Sequence, residues 1–339
     1  MVLDIFTLGI ETSCDETACA VVKNGRELLS NVIASQADYH SVFGGVVPEI
    51  AARMHVEAII PCMSDALEKA NLSLNDMHAI CVTYGPGLVG ALLVGVSAAK
   101  GLSEISGIPL VPVNHINAHI SANYLAHPDL QPPFVTLVVS GGHSEIINVS
   151  DWNTFEFIAG TRDDAAGEAI DKIARVLGLG YPGGPKMDNI AQNSDSSRFA
   201  FPKPSAGNGL DFSFSGIKTY ALNVLHQYEQ RNEKIDIPSF AASYQSAIAN
   251  VLSENAVEAC LQLGYNTICI AGGVSANSFL RERIAETASK YQINIYMPPL
   301  HLCTDNAAMV AAAGYYNYIK GIRADLSLNA YPSIQHMKD

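Results

Sequence analysis

The chain has 339 residues, 48% of them hydrophobic and 16% charged, which suits two lobes with sizeable cores. A formal net charge of -13 disfavours indiscriminate nucleic-acid binding, which needs basic surface, but leaves room for a local basic patch or a partner that supplies one. No run of about 18 apolar residues marks a membrane span, residues 1–6 lack the regions of a signal peptide, and seven scattered cysteines without a C-x-x-C pair read as reduced thiols of a cytoplasmic protein.

Residues 7–11 read as a first strand, 12–16 as a polar turn and 17–22 as a returning strand, with Asn24-Gly25 as a hairpin turn. Strand, hydroxyl-rich turn and strand can hold a phosphate against backbone N–H groups; the same residues also fit a plain hairpin whose acids face solvent. Asp15 and Glu16 would repel a bare phosphate unless a cation or an acyl group lay between. After a loop at 43–48, a helix is expected over 49–70, kinked or broken at Pro61. A strand at 79–83, a tight Gly85-Pro86-Gly87 turn and a small-residue helix over 88–103 follow, where Gly90, Gly95, Ala98 and Ala99 let another element approach.

A short strand at 109–113 runs into Asn114, a good N-cap, and a helix with an apolar stripe of Ile116, Ile120 and Tyr124. His115 and His119 lie one turn apart on one face of that helix. Two neutral imidazoles at this spacing can hold a divalent transition metal, and the pattern fits equally two partly exposed histidines on an ordinary amphipathic helix. A zinc protease would need H-E-x-x-H; Ile116 stands where the glutamate must be and cannot take a proton.

The pattern then starts again. Residues 134–139 and 144–149 are apolar strands about the turn Ser140-Gly141-Gly142-His143, matching the opening hairpin and suggesting two lobes of one ancestral design. A helix is expected over 163–177, with Asp164 and Glu168 on one face and Asp171 close by, ended by a rigid Gly/Pro turn over 178–185. Residues 195–208 read as a surface loop, Phe212-Ser213-Phe214-Ser215-Gly216 leads into a helix carrying Lys218, and 228–236 is a solvated helix end. A buried strand at 267–271 turns through Gly272-Gly273-Val274-Ser275 into a helix over 276–289, a reasonable nucleotide contact in a chain with no G-x-x-x-x-G-K-[ST]. Cys303-Thr304-Asp305-Asn306 caps a last helix over 307–319, where Asp305 by itself is simply a favourable charge at the dipole.

Two hairpin-led lobes with glycine turns suggest a nucleotide held in an interlobe cleft, as in the α/β actin, Hsp70 and sugar-kinase folds with their duplicated ribonuclease H-like lobes. The expected lobes are 1–130, 131–304, and a C-terminal helix at 305–339 that packs back on the first. Gly9-Ile10-Glu11-Thr12-Ser13-Cys14-Asp15-Glu16-Thr17 resembles the opening signature of the bacterial tRNA N6-adenosine threonylcarbamoyltransferase family (TsaD, formerly called glycoprotease). Gly44-Gly45-Val46-Val47-Pro48-Glu49, Gly85-Pro86-Gly87-Leu88, His115 with His119, Val139 to His143, Tyr181 to Pro185, Phe212 to Gly216 and Gly272 to Asn277 match it in order, over nearly the whole chain.

That resemblance implies transfer of a threonylcarbamoyl group from threonylcarbamoyl-AMP to N6 of adenosine 37, forming t6A in tRNAs that read codons starting with A. It implies one divalent metal per subunit, iron(II) ahead of zinc, on residues matching His115, His119 and Asp305. It implies adenylate binding by Val139, Ser140, Gly141, Gly142, His143, Asp171, Gly184, Asp188 and Asn277. Its partners are tRNA, a paralogous TsaB-type subunit and a TsaE-type ATPase, with no membrane. Asp15 and Glu16 are candidates for a general base. The alternatives are a small-molecule carbamoyltransferase of the same fold, which would leave tRNA unmodified, a non-catalytic scaffold, which would lack the histidine pair, and a metalloprotease, disfavoured by Ile116.

Overall fold

In the computed structural model, which describes residues 4–207 and 209–333, the polar turn after Glu11 joins β1 (Phe6–Glu11) antiparallel to β2 (Glu16–Lys23). Asn24 and Gly25 both take left-handed φ, and the chain reverses into β3 (Glu27–Ser35). The short α1 (Ala37–Ser41) and the long α2 (Pro48–Lys69) follow, then β4 (Ala79–Gly85), α3 (Val89–Ser106), β5 (Leu110–Asn114) and α4 (His115–Ala126). The sheet order is β3-β2-β1-β4-β5, with β4 parallel to both β1 and β5. Alternation sends successive side chains to opposite faces: Leu8, Ile10, Cys19 and Val21 pack with α2 and α3, while Ala18, Ala20 and Val22 pack on the other side with α4.

The second sheet repeats the plan. β6 (Phe134–Val139) pairs antiparallel with β7 (Ser144–Asp151), and β8 (Thr154–Gly160) lies beyond it. The helices α5 (Ala166–Val176), α6 (Gly183–Ala191), α7 (Ser215–Gln230) and α8 (Ile237–Gln262) come before β9 (Thr267–Ala271), and α9 (Ser278–Ser289) comes before β10 (Asn294–Tyr296). The order β10-β9-β6-β7-β8 has β9 parallel to β6 and β10 parallel to β9. Read from the other edge, this is the first sheet's order, so the self-similarity of the two hairpins extends to five strands. Finally α10 (Ala307–Ile319) returns to the first sheet, where its alanines pack with Ala18, Ala20 and Cys81.

Two compact units result. One holds the chain up to Gln131, Trp152–Thr154 and everything from Pro298; the other holds Pro132–Asp151 and Phe155–Met297. Residues 298–304 thus belong with the first unit, where the sequence reading put them in the second. Trp152 joins the first unit because its ring stacks on Tyr316 and Arg26 lies over it.

Several elements differ from expectation for local reasons. Helix α2 continues through Pro61 without a break. Helix α5 starts at Ala166 rather than 163, because the Asp163 carboxylate accepts from Phe214 N at 2.7 Å and Ser215 N at 3.3 Å, at the start of α7. The expected Gly/Pro turn contains the start of α6, and α8, capped by Asp236 through Ser239 N, was not foreseen as a helix. Among the described helices α3 alone is long and apolar enough to cross a membrane; here it packs on β4 and α2.

Candidate active site

The first unit gathers its chemistry where β1, β4 and β5 end. Asn114 closes β5 and caps α4, its Oδ1 accepting from Ile116 N at 2.8 Å and Asn117 N at 3.2 Å. The helix therefore begins at His115, directly at the strand's carboxyl end. Almost all of α4 is buried, so it is not the amphipathic surface helix that an apolar stripe suggested. His115 and His119 sit with ring centroids 4.6 Å apart. At the head of α10 the cap is Asn306, which accepts from Met309 N at 3.0 Å. Asp305 stands just before it and turns to the histidines: its Oδ1 is 3.1 Å from His119 Nε2 and 3.7 Å from His115 Nε2.

One donor atom from each of His115, His119 and Asp305 falls within a 4.8 Å group, a set that can hold one metal ion. The donor chemistry fits. His119 is 1% exposed; its Nδ1 has no hydrogen-bond partner among the described residues, and the Asp305 carboxylate beside its Nε2 does not meet it in hydrogen-bond geometry. An imidazole buried in that way is costly unless a cation takes its lone pair. Two imidazoles and one carboxylate suit a divalent transition metal and leave coordination positions open.

The surroundings are strongly acidic. Burial opposes charge on His115, yet the carboxylates of Asp305 and Glu11 outweigh it and push the imidazole up to about 9. Burial, then Asp305 and Asp15, raise the Glu16 carboxyl to about 9, so it holds its proton at neutral pH. Burial, then Asp15 and Asp305, also raise the Cys14 thiol, which makes it a poor metal ligand or nucleophile. Behind this turn His55 is buried, donating from Nε2 to the Cys14 carbonyl at 2.9 Å and accepting from Thr17 Oγ1 at 2.7 Å. Sequence reasoning named His115, His119, Asp305, Asp15 and Glu16 but assigned no role to Glu11, Thr83 or His55. Their contacts join residues up to 104 positions apart; Glu11 lies in the opening signature, but nothing local to any of the three shows those contacts.

The second unit has an equivalent locus at the carboxyl ends of β6 and β9, where open α/β sheets take their ligands. Val139 ends β6, and Ser140 Oγ accepts from Gly142 N at 3.3 Å and His143 N at 3.1 Å. Gly141 and Gly142 are exposed, with open space where a Cβ would stand. Gly272 packs on the Val139 carbonyl with φ of 85°, a place for glycine alone. Asp171 Oδ1 accepts from Gly183 N and Gly184 N, both at 2.9 Å, and so caps α6; burial still raises its carboxyl above the usual range against those two donors. Asp188 accepts from Ser278 Oγ at 2.6 Å and Asn277 Nδ2 at 3.3 Å, and Asn277 caps α9 through Leu280 N. The buried Gln245, which the sequence did not single out, holds Asn277 Nδ2 at 2.7 Å.

Two sheets of one design, each with polar residues at the carboxyl ends of parallel strands, define the actin, Hsp70 and sugar-kinase class of α/β proteins. Solved structures bear this out for the fold. Component A of (R)-2-hydroxyglutaryl-CoA dehydratase from Acidaminococcus fermentans superposes with a TM-score of 0.55 at 16% identity, over 93% of this chain and 99% of that one. T. kodakarensis HypF superposes with a TM-score of 0.64 at 15% identity, over 96% of this chain and 49% of that one. The model of the TsaD family, tRNA N6-adenosine threonylcarbamoyltransferase, matches residues 27–312. Proteins of that name from Clostridioides difficile (strain 630) and Clostridium perfringens (strain 13 / Type A) are 54% and 53% identical, over 98% and 97% of both chains. The chain belongs to the tRNA N6-adenosine threonylcarbamoyltransferase family, a family of transferases that modify tRNA.

Proposed function

We propose that this chain transfers the threonylcarbamoyl group of threonylcarbamoyl-AMP to N6 of adenosine 37 in tRNAs reading codons that start with A. Family membership carries the reading, and the chemistry available at the two loci supports it. The donor is a mixed anhydride. N6 attacks its carbonyl carbon, a C–N bond forms, the C–O bond to the phosphate breaks, AMP leaves, and one N6 proton passes to a base.

In this reading the adenylate lies on Val139, Ser140, Gly141, Gly142 and His143, with Gly184, Asp188 and Asn277 beside it. Backbone N–H groups of the exposed glycines face its phosphate. Asp171 spends Oδ1 on α6, and its Oδ2 accepts from a ribose hydroxyl. His115, His119 and Asp305 hold one divalent metal, a donor set that both iron(II) and zinc accept, with iron(II) put first by the family resemblance. Such an ion, when bound, supplies Lewis acidity for the carbonyl or the departing phosphate. Asp15 takes the N6 proton. Glu16, protonated and hydrogen-bonded to Asp15, keeps that carboxylate oriented.

A TsaB-type subunit and a TsaE-type ATPase complete the active assembly, and the seven free cysteines favour a reducing cytoplasm. Reconstitution tests the proposal: tRNA, threonine, bicarbonate, ATP, the adenylate-forming enzyme and both partners, followed by nucleoside mass spectrometry. Threonylcarbamoyladenosine should form only when this chain is present. Unmodified tRNA alongside carbamoylated small molecules would favour the alternative transferase.

A further inference from the structure

The carboxylate of Glu11, at the carboxyl end of β1, is fully buried and makes three contacts. Its Oε1 accepts from Ser13 N at 2.6 Å, its Oε2 accepts from Thr83 Oγ1 at 2.7 Å, and Oε2 also lies 3.2 Å from His115 Nδ1. Ser13 Oγ stands 3.2 Å from the same Nδ1. A buried carboxylate of this kind is expensive unless it is satisfied and needed.

We propose that Glu11 is a positioning residue for the metal centre: it receives Nδ1–H of His115, so that Nε2, on the Asp305 side of the ring, is the nitrogen that gives up its proton and takes the ion. The inference rests on the reading of His115, His119 and Asp305 as metal ligands. The physical reason is tautomer control. A neutral imidazole offers one lone pair, and the partner of the other nitrogen decides which. Thr83 on β4 and the Ser13 backbone pin both oxygens of Glu11, so the ring is oriented by the sheet and not by its own helix. His119 has no such orienting partner among the described residues, so the geometry of the pair depends on His115.

The test uses the full-length protein and cobalt(II) as the probe, read by competition with a chromophoric chelator and by visible d–d absorption. Glu11→Gln keeps the shape but sets an amide N–H₂ among three donors. It should weaken cobalt binding by about 10- to 100-fold and shift the d–d band. His119→Ala should abolish binding. If His119→Ala binds cobalt as the parent does, the ligand assignment fails, whatever Glu11 does. If His119→Ala loses cobalt while Glu11→Gln keeps the parental affinity and spectrum, the role of Glu11 is overturned. Should Glu11→Gln fail to fold, Thr83→Val carries the test. It removes one of the two contacts of Oε2 and should cost about fivefold in affinity, the worth of one hydrogen bond of about 1 kcal/mol. Parental affinity in a folded Thr83→Val protein would overturn the proposal equally.

Discussion

His55 holds the acidic turn from behind, and its environment sets a pH dependence. Burial keeps its pKa below the ordinary imidazole value, outweighing the Cys14 carbonyl that favours its charge. The folded state therefore binds fewer protons here than the unfolded chain. The contribution is complete above the unfolded value of about 6.5 and is lost as pH falls through the folded one. His55→Gln should be less stable than the parent by about 1–3 kcal/mol near neutral pH, since it leaves Thr17 or the Cys14 carbonyl unpaired. Urea denaturation across the range should show that gap narrowing as pH drops below about 6.5. A constant gap would mean that His55 titrates alike in both states. The roles of single residues were unevenly legible. The i, i+4 spacing of His115 and His119 is visible in any reading of the chain, but Asp305 lies 186 positions beyond His119 and looks like a dipole charge until Asn306 is seen to be the cap.

Element packing turns on small residues. Gly9 in β1 lies directly under α10: a Cβ there would overlap the Ala307 carbonyl oxygen and come within 2.7 Å of Ala311 N. Gly95 of α3 meets the Thr12 side chain instead, whose Oγ1 donates to the Ala91 carbonyl at 2.9 Å. Because α10 carries Asp305 at its head, the β1–α10 spacing also sets the metal cluster. Gly9→Ala should destabilise the protein by about 3 kcal/mol, measured by chemical denaturation, since helix backbone cannot rotate away as a side chain can. The same variant should lose metal affinity, and retained stability and affinity together would show that α10 can slide. The close-approach reading of the small residues around 88–103 was available from composition. The partner at Gly9 was not, because α10 is some 300 residues away.

Over the whole molecule, a net charge of -13 opposes a polyanion, and several basic residues of the second unit are already ion-paired. Seven basic residues lie between 162 and 218, namely Arg162, Lys172, Arg175, Lys186, Arg198, Lys203 and Lys218, and could form a basic face if they were unpaired. Arg162 pairs with Asp211 at 2.7 Å, Arg198 with Asp236 at 2.9 Å, Lys203 with Glu254 at 2.7 Å, and Lys172 and Lys218 both reach Asp164. Cations already paired with carboxylates neutralise fewer phosphates, so fewer counterions leave the tRNA. The isolated chain should therefore bind tRNA weakly at physiological salt, and the partner subunits should strengthen it. Filter binding decides: tight binding by the chain alone, unchanged by partners, would show that the gripping surface is already present.

The sequence by itself determined the local and the repeated. Strand periodicity at the two hairpins, the Asn114 cap, the histidine spacing and the collinear motifs depend on neighbours a few positions apart, so they can be read along the chain. Tertiary structure alone decided the rest. Helix α8 was not anticipated because most of it is buried and its buried positions include Ser239, Ser243, Gln245, Ser253 and Asn255, so polar and apolar residues do not separate into two faces along the sequence. Glu11, Thr83 and His115 meet only because β1, β4 and β5 end side by side. Asp305 joins His119 only because α10 packs on α4 across one face of that sheet. Contacts of that kind are set by sheet order and strand register, which no stretch of sequence carries within itself.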